Sequence, residues 1–304
     1  MLKKFLKITG LISFFKRIRR LVNYKTTIQI NGKKLVTHRL YGAICEVNEP
    51  WMINVLKASF KMKSGAFMDV GVNLGQTLME AKSIDSERLY IGFEPNPSCV
   101  MYVEELIKFN GFNNVRLIPV GLFTSDTLLK MDLYYDDITN SGGSVIEDYW
   151  LFTNKNPVYR ELIVPVNKYE SVVKSLGPLE FEILKIDVEG AELEVLQTLT
   201  DVIQKKHPII IIEILSAYSV ENEIRYNRQQ KIMQWIREND YRILRIEETE
   251  NNELKYLEPI DEFDVNYNYN MTNYIFYQIS DYESMKMHFG SYLKNGHILT
   301  DTKI

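Results

Sequence analysis

The middle of the chain alternates between short apolar runs and longer amphipathic segments. The apolar runs have the length of buried β-strands, and helix-like segments lie between several of them. Nearly continuous apolar strands that alternate with helices are typical of a parallel sheet covered by helices on both faces. We therefore predict a doubly wound α/β domain, with strands at 66–70, 89–93, 115–120, 181–186 and 208–215 and helices at about 75–84, 97–109, 190–204 and 220–239.

Other segments extend this pattern at both ends. The dipeptide Asn31-Gly32 separates two strand-like runs, which predicts a hairpin with a type I′ turn. A helix is predicted after Pro50, because proline favours the first turn of a helix. Residues 241–246 and 274–279 have the composition of further strands, joined by an acidic stretch rich in Asn and Tyr.

The interval 121–180 interrupts the alternation. It contains β-prone runs and the stretch Asn140-Ser141-Gly142-Gly143-Ser144, and we interpret it as an insertion on the substrate side of the sheet. The chain is thus expected to comprise a basic amphipathic helix (1–25), a hairpin and helix packed on the core (26–62), the main α/β domain (63–280) and a C-terminal tail (281–304).

The first 25 residues combine an apolar stripe with positive charge. They hold eight basic side chains and no acidic one, and the stripe consists of Ile8, Leu11, Phe15, Ile18 and Val22. Such a helix can lie in the plane of an anionic membrane. The alternative is a helix packed on the domain with its basic face in solvent. Lys7 interrupts the apolar part, which argues against a signal peptide.

Composition narrows the class of protein. Of 36 Lys and Arg residues, 28 lie outside this basic segment, against 40 Asp and Glu, so the body of the chain is acidic and unsuited to binding nucleic acid through bulk charge. Two cysteines describe neither a disulfide framework nor a thiolate zinc site. No uncharged apolar run has the length of a transmembrane helix. We expect a cytoplasmic protein, peripheral on the inner face of the membrane if the basic helix binds there.

A predicted strand leads into Asp69-Val70-Gly71-Val72-Asn73-Leu74-Gly75 and then into a helix. The glycines permit a tight turn, and Asn73 tolerates left-handed backbone geometry. Glu94 ends the next strand, 23 residues after Gly71, where a carboxylate can accept hydrogen bonds from both hydroxyls of a ribose. A dinucleotide fingerprint would need glycine at 73 and 76, where this chain has Asn and Gln. S-adenosylmethionine, which has no phosphate, therefore fits better than a nicotinamide dinucleotide.

Carboxylates crowd the segment Leu184-Lys185-Ile186-Asp187-Val188-Glu189-Gly190 and the helix after it. Favourable interaction with the helix dipole is enough to explain Glu192 and Glu194. Asp187 ends a strand at the carboxyl edge of the sheet, where open α/β folds bind ligands. Glu213 interrupts an isoleucine-rich strand, where a carboxylate needs a partner or a function.

Taken together, these segments resemble the FkbM-type S-adenosylmethionine-dependent methyltransferases, whose characteristic strings are similar to DVGxNxG, FEPNP and LKIDVEGAE. The resemblance implies a mostly parallel, seven-stranded class I methyltransferase sheet with an antiparallel final strand, for which 274–279 is the candidate. Many relatives carry Ala where this chain has Val72. By the same resemblance, the cofactor residues would be Asp69, Gly71, Asn73, Gly75 and Glu94, with Pro95 near the adenine.

Members of this family methylate hydroxyl groups, and the resemblance implies a sugar hydroxyl of a surface glycan or glycolipid precursor as the acceptor. Methyl transfer to oxygen requires alignment and removal of a proton. Asp187 is the leading candidate for the general base, followed by Glu189 and Glu213. A divalent metal held by Asp187 and Glu213 is an alternative, since carboxylates suit Mg²⁺.

Other functions compete with this hypothesis. The acceptor could be a small natural product such as a polyketide, or the chain could be a non-catalytic, membrane-associated module with a methyltransferase fold. A nicotinamide-dependent dehydrogenase is a third class, disfavoured by Asn73 and Gln76.

Overall fold

The computed structural model describes residues 23–134, 143–146, 158–265 and 271–298. Nearly all of the predicted basic helix, most of the stretch 140–144 and the end of the predicted tail lie outside these residues. Within the described residues, no helix combines the length and the hydropathy needed to cross a membrane.

The described chain begins with a small antiparallel sheet and a helix: β1 (Tyr24–Ile30), β2 (Lys33–Leu40), β3 (Ala43–Ile44) and α1 (Pro50–Met62). β1 and β2 pair directly through the turn at Asn31 and Gly32. These two residues have φ angles of 50° and 74°, as a type I′ turn requires. The predicted hairpin is confirmed.

The main domain contains the remaining elements, and the predicted strands and helices are present with ends that differ by a few residues. In chain order they are β4 (Phe67–Val70), α2 (Gln76–Ile84), β5 (Tyr90–Phe93), α3 (Pro97–Asn110), β6 (Val115–Ile118), β7 (Gly121–Leu122), β8 (Thr127–Leu133), β9 (Arg160–Asn167), α4 (Tyr169–Leu176), β10 (Ile183–Ile186), α5 (Glu192–Lys206), β11 (Ile209–Glu213), α6 (Glu223–Glu238), β12 (Tyr241–Glu248), β13 (Leu254–Ile260), β14 (Asn273–Gln278) and α7 (Tyr282–Phe289).

Eight strands form the central sheet in the order β13-β12-β14-β11-β10-β4-β5-β6. The five strands from β11 to β6 in this order run parallel, and β14 is antiparallel to both β11 and β12. β14 is therefore the antiparallel final strand that the sequence predicts. The seven predicted strands are all present, and β13 adds an eighth at the edge, antiparallel to β12. It lies in the acidic stretch for which the sequence predicts only a connection.

Helices cover both faces of this sheet. On one face, α5 and α6 pack apolar side chains such as Leu196 and Trp235 against the strands. On the other face, α1, α2 and α7 contribute Val55, Leu78 and Phe289. The prediction of a doubly wound α/β domain is confirmed, because apolar strands buried on both sides need a helical layer on each face.

The N-terminal hairpin is fastened to α3. The hydroxyl of Tyr102 donates a hydrogen bond to the carbonyl of His38 at 2.6 Å and accepts one from the backbone N–H of Cys45 at 2.7 Å. The side chain of Asn110 forms two hydrogen bonds with the backbone of Val36, at 2.7 and 2.8 Å. These contacts fix the point at which the chain leaves β3 and runs towards α1.

The interval 121–180 forms a second small sheet in the order β7-β9-β8, followed by α4. β8 pairs antiparallel with β9 along the whole length of β8, whereas β7 and β9 pair in parallel. The described parts of this interval therefore have β-structure of their own, outside the central sheet.

Candidate active site

A cavity of about 310 Å³ lies at the carboxyl ends of β4, β5, β10 and β11. Residues 46–49, between β3 and α1, and residues of the small sheet complete its wall. Its polar lining side chains are Glu46, Asn48, Glu49, Asn73, Gln76, Thr77, Glu80, Glu94, Asn96, Lys185, Asp187, Glu189 and Glu213.

The turn after β4 depends on unusual backbone conformations. Gly71 has a φ of 93°, and a Cβ atom built there would lie 1.8 Å from the carbonyl oxygen of Asp187. Asn73 adopts the left-handed conformation at a φ of 50°, and both residues line the cavity. Gly75, at a φ of 82°, precedes the first residue of α2 and does not line the cavity. Gly75 therefore starts the helix, whereas Gly71 and Asn73 shape the cavity wall.

Glu94 follows β5 and is 6% exposed. Its two carboxylate oxygens accept hydrogen bonds from the backbone N–H groups of Asn73 and Asn96, both at 2.8 Å. Burial raises the pKa of Glu94 to about 7, although these two N–H groups favour the charged form. Each oxygen keeps a lone pair, so the carboxylate can still accept hydrogen bonds from a ligand. Pro95, next in the chain, also lines the cavity.

The structure puts Asp69 beneath the cavity wall rather than on it. Asp69 is fully buried and accepts a hydrogen bond from the hydroxyl of Tyr90. Its other oxygen lies 3.6 Å from the ammonium of Lys185. Asp69 and Gly75 therefore do not line the cavity, and their predicted contact with a cofactor stays a prediction; Asp69 pairs with Lys185, which does line it.

Lys185 connects Asp69 with the cavity. Its ammonium donates a hydrogen bond to Asp187 at 3.0 Å. Burial alone would lower the pKa of Lys185, but the carboxylates of Asp187 and Asp69 outweigh burial and raise it. Lys185 is thus a permanent cation that fixes the carboxylate of Asp187.

The three candidate catalytic residues come together on the cavity wall. Asp187, Glu189 and Glu213 each offer a carboxylate oxygen, and these oxygens lie within 4.8 Å of one another. The hydroxyl of Thr272 donates to Glu213 at 3.1 Å. Burial, followed by the charge of Asp187, raises the pKa values of Glu189 and Glu213 well above the usual range. Such a group can take up a proton, and its donor atoms also suit Mg²⁺.

The neighbouring acids of α5 are separate from this group. The carboxylate of Glu192 accepts a hydrogen bond from the backbone N–H of Gly190 at 2.8 Å, and Glu194 forms an ion pair with Arg228. Neither lines the cavity. Both have structural roles at the start of the helix.

Sequence reasoning missed three acidic residues on the cavity wall, Glu46, Glu49 and Glu80. Glu80 is 2% exposed and sits in α2 between Met79 and Ala81, both buried. One signal could have identified Glu80: it is a charged residue in a helix that is itself buried on nearly all sides. Glu49 directly precedes Pro50 at the start of α1, and nothing in the local pattern distinguishes it from a solvent-facing acid.

The comparison with protein families decides the classification. A family model described as the methyltransferase FkbM domain matches residues 69–243, which is more than half of the chain. The chain belongs to the FkbM methyltransferase family. All three motifs that carry the sequence resemblance lie within the matched residues, and the FkbM domain extends from β4 into β12.

Individual relatives of this FkbM chain are distant. It is 26% identical over 145 residues to Methyltransferase 1 of Beauveria bassiana, an alignment that covers 44% of this chain and 58% of the relative. A crystal structure of methyltransferase FkbM from Methylobacillus flagellatus KT has 12% identity and a TM-score of 0.43, covering 70% of this chain and 43% of that one. An O-methyltransferase from Bacillus cereus in complex with SAH has 8% identity and a TM-score of 0.44, covering 76% and 83%.

Proposed function

We propose that this chain is an S-adenosylmethionine-dependent O-methyltransferase that modifies a sugar hydroxyl of a glycan or glycolipid precursor. The observation that carries the proposal is the meeting of three carboxylates, from Asp187, Glu189 and Glu213, on the wall of the cavity that also contains Glu94. One side of the cavity thus suits a ribose, and the other suits an acceptor that must lose a proton.

The residues near Glu94 fit the nucleoside part of the cofactor. Glu94 is oriented by two backbone N–H groups and would accept hydrogen bonds from the ribose hydroxyls. The turn at Gly71 and Asn73 brings backbone against the cavity without an intervening side chain at position 71. S-adenosylmethionine supplies an electrophilic methyl group when it is bound at this site.

Asp187 is the general base of the proposal. Lys185 holds its carboxylate from one side, and the raised pKa of Glu213 favours a neutral carboxyl group beside it. Asp187, positioned by Lys185, would accept the proton of the acceptor hydroxyl. A positioned base of this kind contributes about 10²–10⁴-fold to the rate.

The charge of the cavity supports a neutral acceptor. Among the described lining residues, Lys185 is the one basic side chain, and it is already paired with Asp187 and Asp69. A phosphorylated or carboxylated acceptor would meet several carboxylates without a free cation. Carboxylates pair well with hydroxyl groups, which an uncharged sugar offers in number.

A second acceptor class has support from the small sheet. Leu122, Met131 and Val166 give the cavity an apolar side, joined by Phe123 and Val145. This side suits the body of a small natural product such as a polyketide. The two acceptor classes share the same base and the same cofactor position.

The carboxylate group also fits a divalent metal. Asp187, Glu189 and Glu213 would hold Mg²⁺ through one oxygen each, and the ion would lower the pKa of a bound hydroxyl. Retention of full turnover in the presence of a chelator would exclude the metal from proton removal and leave that step to the carboxylates.

Incubation with a methyl-labelled donor tests the function. Purified protein would be mixed with fractionated cell glycans, lipids and small metabolites, with and without a chelator. We expect label in an alkali-stable ether of a glycan or glycolipid fraction. Label in a small-metabolite fraction would favour the second acceptor class. Binding of S-adenosylhomocysteine without labelling of any fraction would favour the non-catalytic module.

A further inference from the structure

Glu80 is a buried carboxylate that the proposed chemistry does not use. It lies in the second turn of α2, is 2% exposed and lines the cavity. Its Oε1 atom has no hydrogen-bond partner within the part of the chain that the structure describes. A buried carboxylate oxygen without a partner is costly, so its position on a cavity wall points to a ligand that completes it.

Glu49 adds a second negative charge at this part of the cavity. Glu49 lines the wall from the position directly before α1. Burial of Glu80 raises the pKa of Glu80, and the charge of Glu49 raises it further. Desolvation in the cavity raises the pKa of Glu49 itself to about 7, with a further contribution from Asp187. The two carboxylates therefore repel each other, and a cation between them would relieve that repulsion.

Lys185, the one basic side chain among the described lining residues, does not supply this charge. Lys185 interacts with both carboxylates, yet its ammonium lies 3.0 Å from Asp187 and 3.6 Å from Asp69. The ammonium of Lys185 is therefore already paired with Asp187 and Asp69. Because no donor among the described residues reaches the Oε1 atom of Glu80, a ligand in the cavity is the candidate donor.

We propose that Glu49 and Glu80 form a subsite for a primary ammonium group, and that the group is the α-ammonium of S-adenosylmethionine. This inference rests on the function proposed above. Gln76 and Thr77 line the cavity one turn before Glu80, and the turn at Gly71 and Asn73 adjoins Glu94. A ligand with its ribose at Glu94 and its chain along this turn would bring its amino acid end to α2. An amine on the acceptor is the other source of the same chemistry.

Calorimetric titration of the full chain with two ligands tests the subsite. S-adenosylhomocysteine carries the α-ammonium group, whereas 5′-methylthioadenosine has the same nucleoside and lacks the amino acid. We expect E80Q to weaken the affinity for S-adenosylhomocysteine about tenfold or more, with the affinity for 5′-methylthioadenosine within about twofold of the wild type. E49Q should act in the same direction. E46Q is the control. Glu46 and Glu49 are both exposed carboxylates on this wall, but of the two it is Glu49 whose charge raises the pKa of Glu80, so E46Q should change neither affinity by more than about twofold.

The outcomes are separable. Equal losses for both ligands would overturn the subsite. No loss for either ligand would also overturn it if glucosamine stabilised E80Q as it stabilises the wild type. If E80Q failed to fold, unchanged affinities in E49Q would overturn it instead. Unchanged S-adenosylhomocysteine affinity, together with loss of thermal stabilisation by glucosamine in E80Q, would keep the ammonium subsite and overturn its assignment to the cofactor. A wild-type protein that binds neither nucleoside would refute the proposed function, and the inference with it.

Discussion

Replacement of Glu94 by glutamine is the most direct test of the cofactor position. The carboxylate of Glu94 accepts backbone hydrogen bonds from Asn73 and Asn96, so it is fixed before any ligand arrives. Glutamine preserves the shape of the side chain and removes its charge. It also replaces one acceptor oxygen by an amide donor, which leaves one of the two backbone N–H groups without its partner.

The magnitude follows from the hydrogen bonds at stake. A hydrogen bond to a charged group contributes about 1.5–3 kcal/mol, so loss of the charge-assisted bond to the ribose should weaken the affinity for S-adenosylhomocysteine roughly 10–150-fold. The unpartnered backbone N–H should independently lower the free energy of unfolding by about 1–3 kcal/mol. The first effect appears in binding, whereas the second appears in the free protein.

Titration calorimetry measures the first effect and thermal unfolding the second. Glu192→Gln is a matched control, because Glu192 is also buried, also accepts a backbone N–H and also has a pKa of about 7, but does not line the cavity. It should change stability without changing the affinity. A folded Glu94→Gln variant that binds S-adenosylhomocysteine like the wild type would refute the ribose assignment.

Three further predictions concern catalysis, pH and membrane contact. Asp187→Asn should lower turnover at least about 100-fold while affinity for S-adenosylhomocysteine changes less; near-normal turnover would transfer the role of base to Glu189 or Glu213. Burial raises the pKa values of Glu94 and Glu192 to about 7 each, so the folded state binds more protons than the unfolded state between about pH 4.5 and pH 7. The free energy of unfolding should therefore fall as the pH rises through this window. Thermal melts of the free protein should show this fall, and Glu94→Gln should make it smaller. We also propose that residues 1–24 bind anionic membranes. Their deletion should abolish salt-sensitive co-sedimentation with anionic liposomes and leave S-adenosylhomocysteine binding intact; unfolding of the truncated chain would instead support packing of this helix on the domain.

Most of the central sheet could be predicted, because its strands carry their own signal. Strands buried on both faces, such as β4 and β11, are nearly continuous apolar runs, and the turn at Asn31 and Gly32 is specified locally. β13 could not be predicted in the same way. It contains Pro259 and charged residues, and its place at the sheet edge is supported by ion pairs of Glu258 with Arg245 and Lys294. Partners distant in sequence leave no local pattern.

In the candidate site, too, some residues could be predicted from the sequence and others depend on tertiary contacts. Glu94 and Asp187 end predicted strands, so the carboxyl edge of the sheet brings them to one cavity. Whether a residue near a strand end faces the cavity or the sheet interior depends on the pleat and on side-chain partners. Asp69 therefore falls on the buried side, paired with Lys185, although its motif suggests a ligand contact. Glu49 reaches the cavity because the hairpin is fastened to α3, a tertiary contact that spacing does not encode.

The contact between Gly71 and Asp187 limits how this protein can be altered. A side chain at position 71 would collide with the carbonyl oxygen of Asp187, and the backbone N–H of Asp187 is bonded to the carbonyl of Val70 at 3.0 Å. The turn after β4 and the end of β10 must therefore change together or not at all. Met131 and Val166 lie on the small sheet, outside this contact. Laboratory evolution towards new acceptors would accordingly keep glycine at 71 and accumulate its substitutions in β8 and β9.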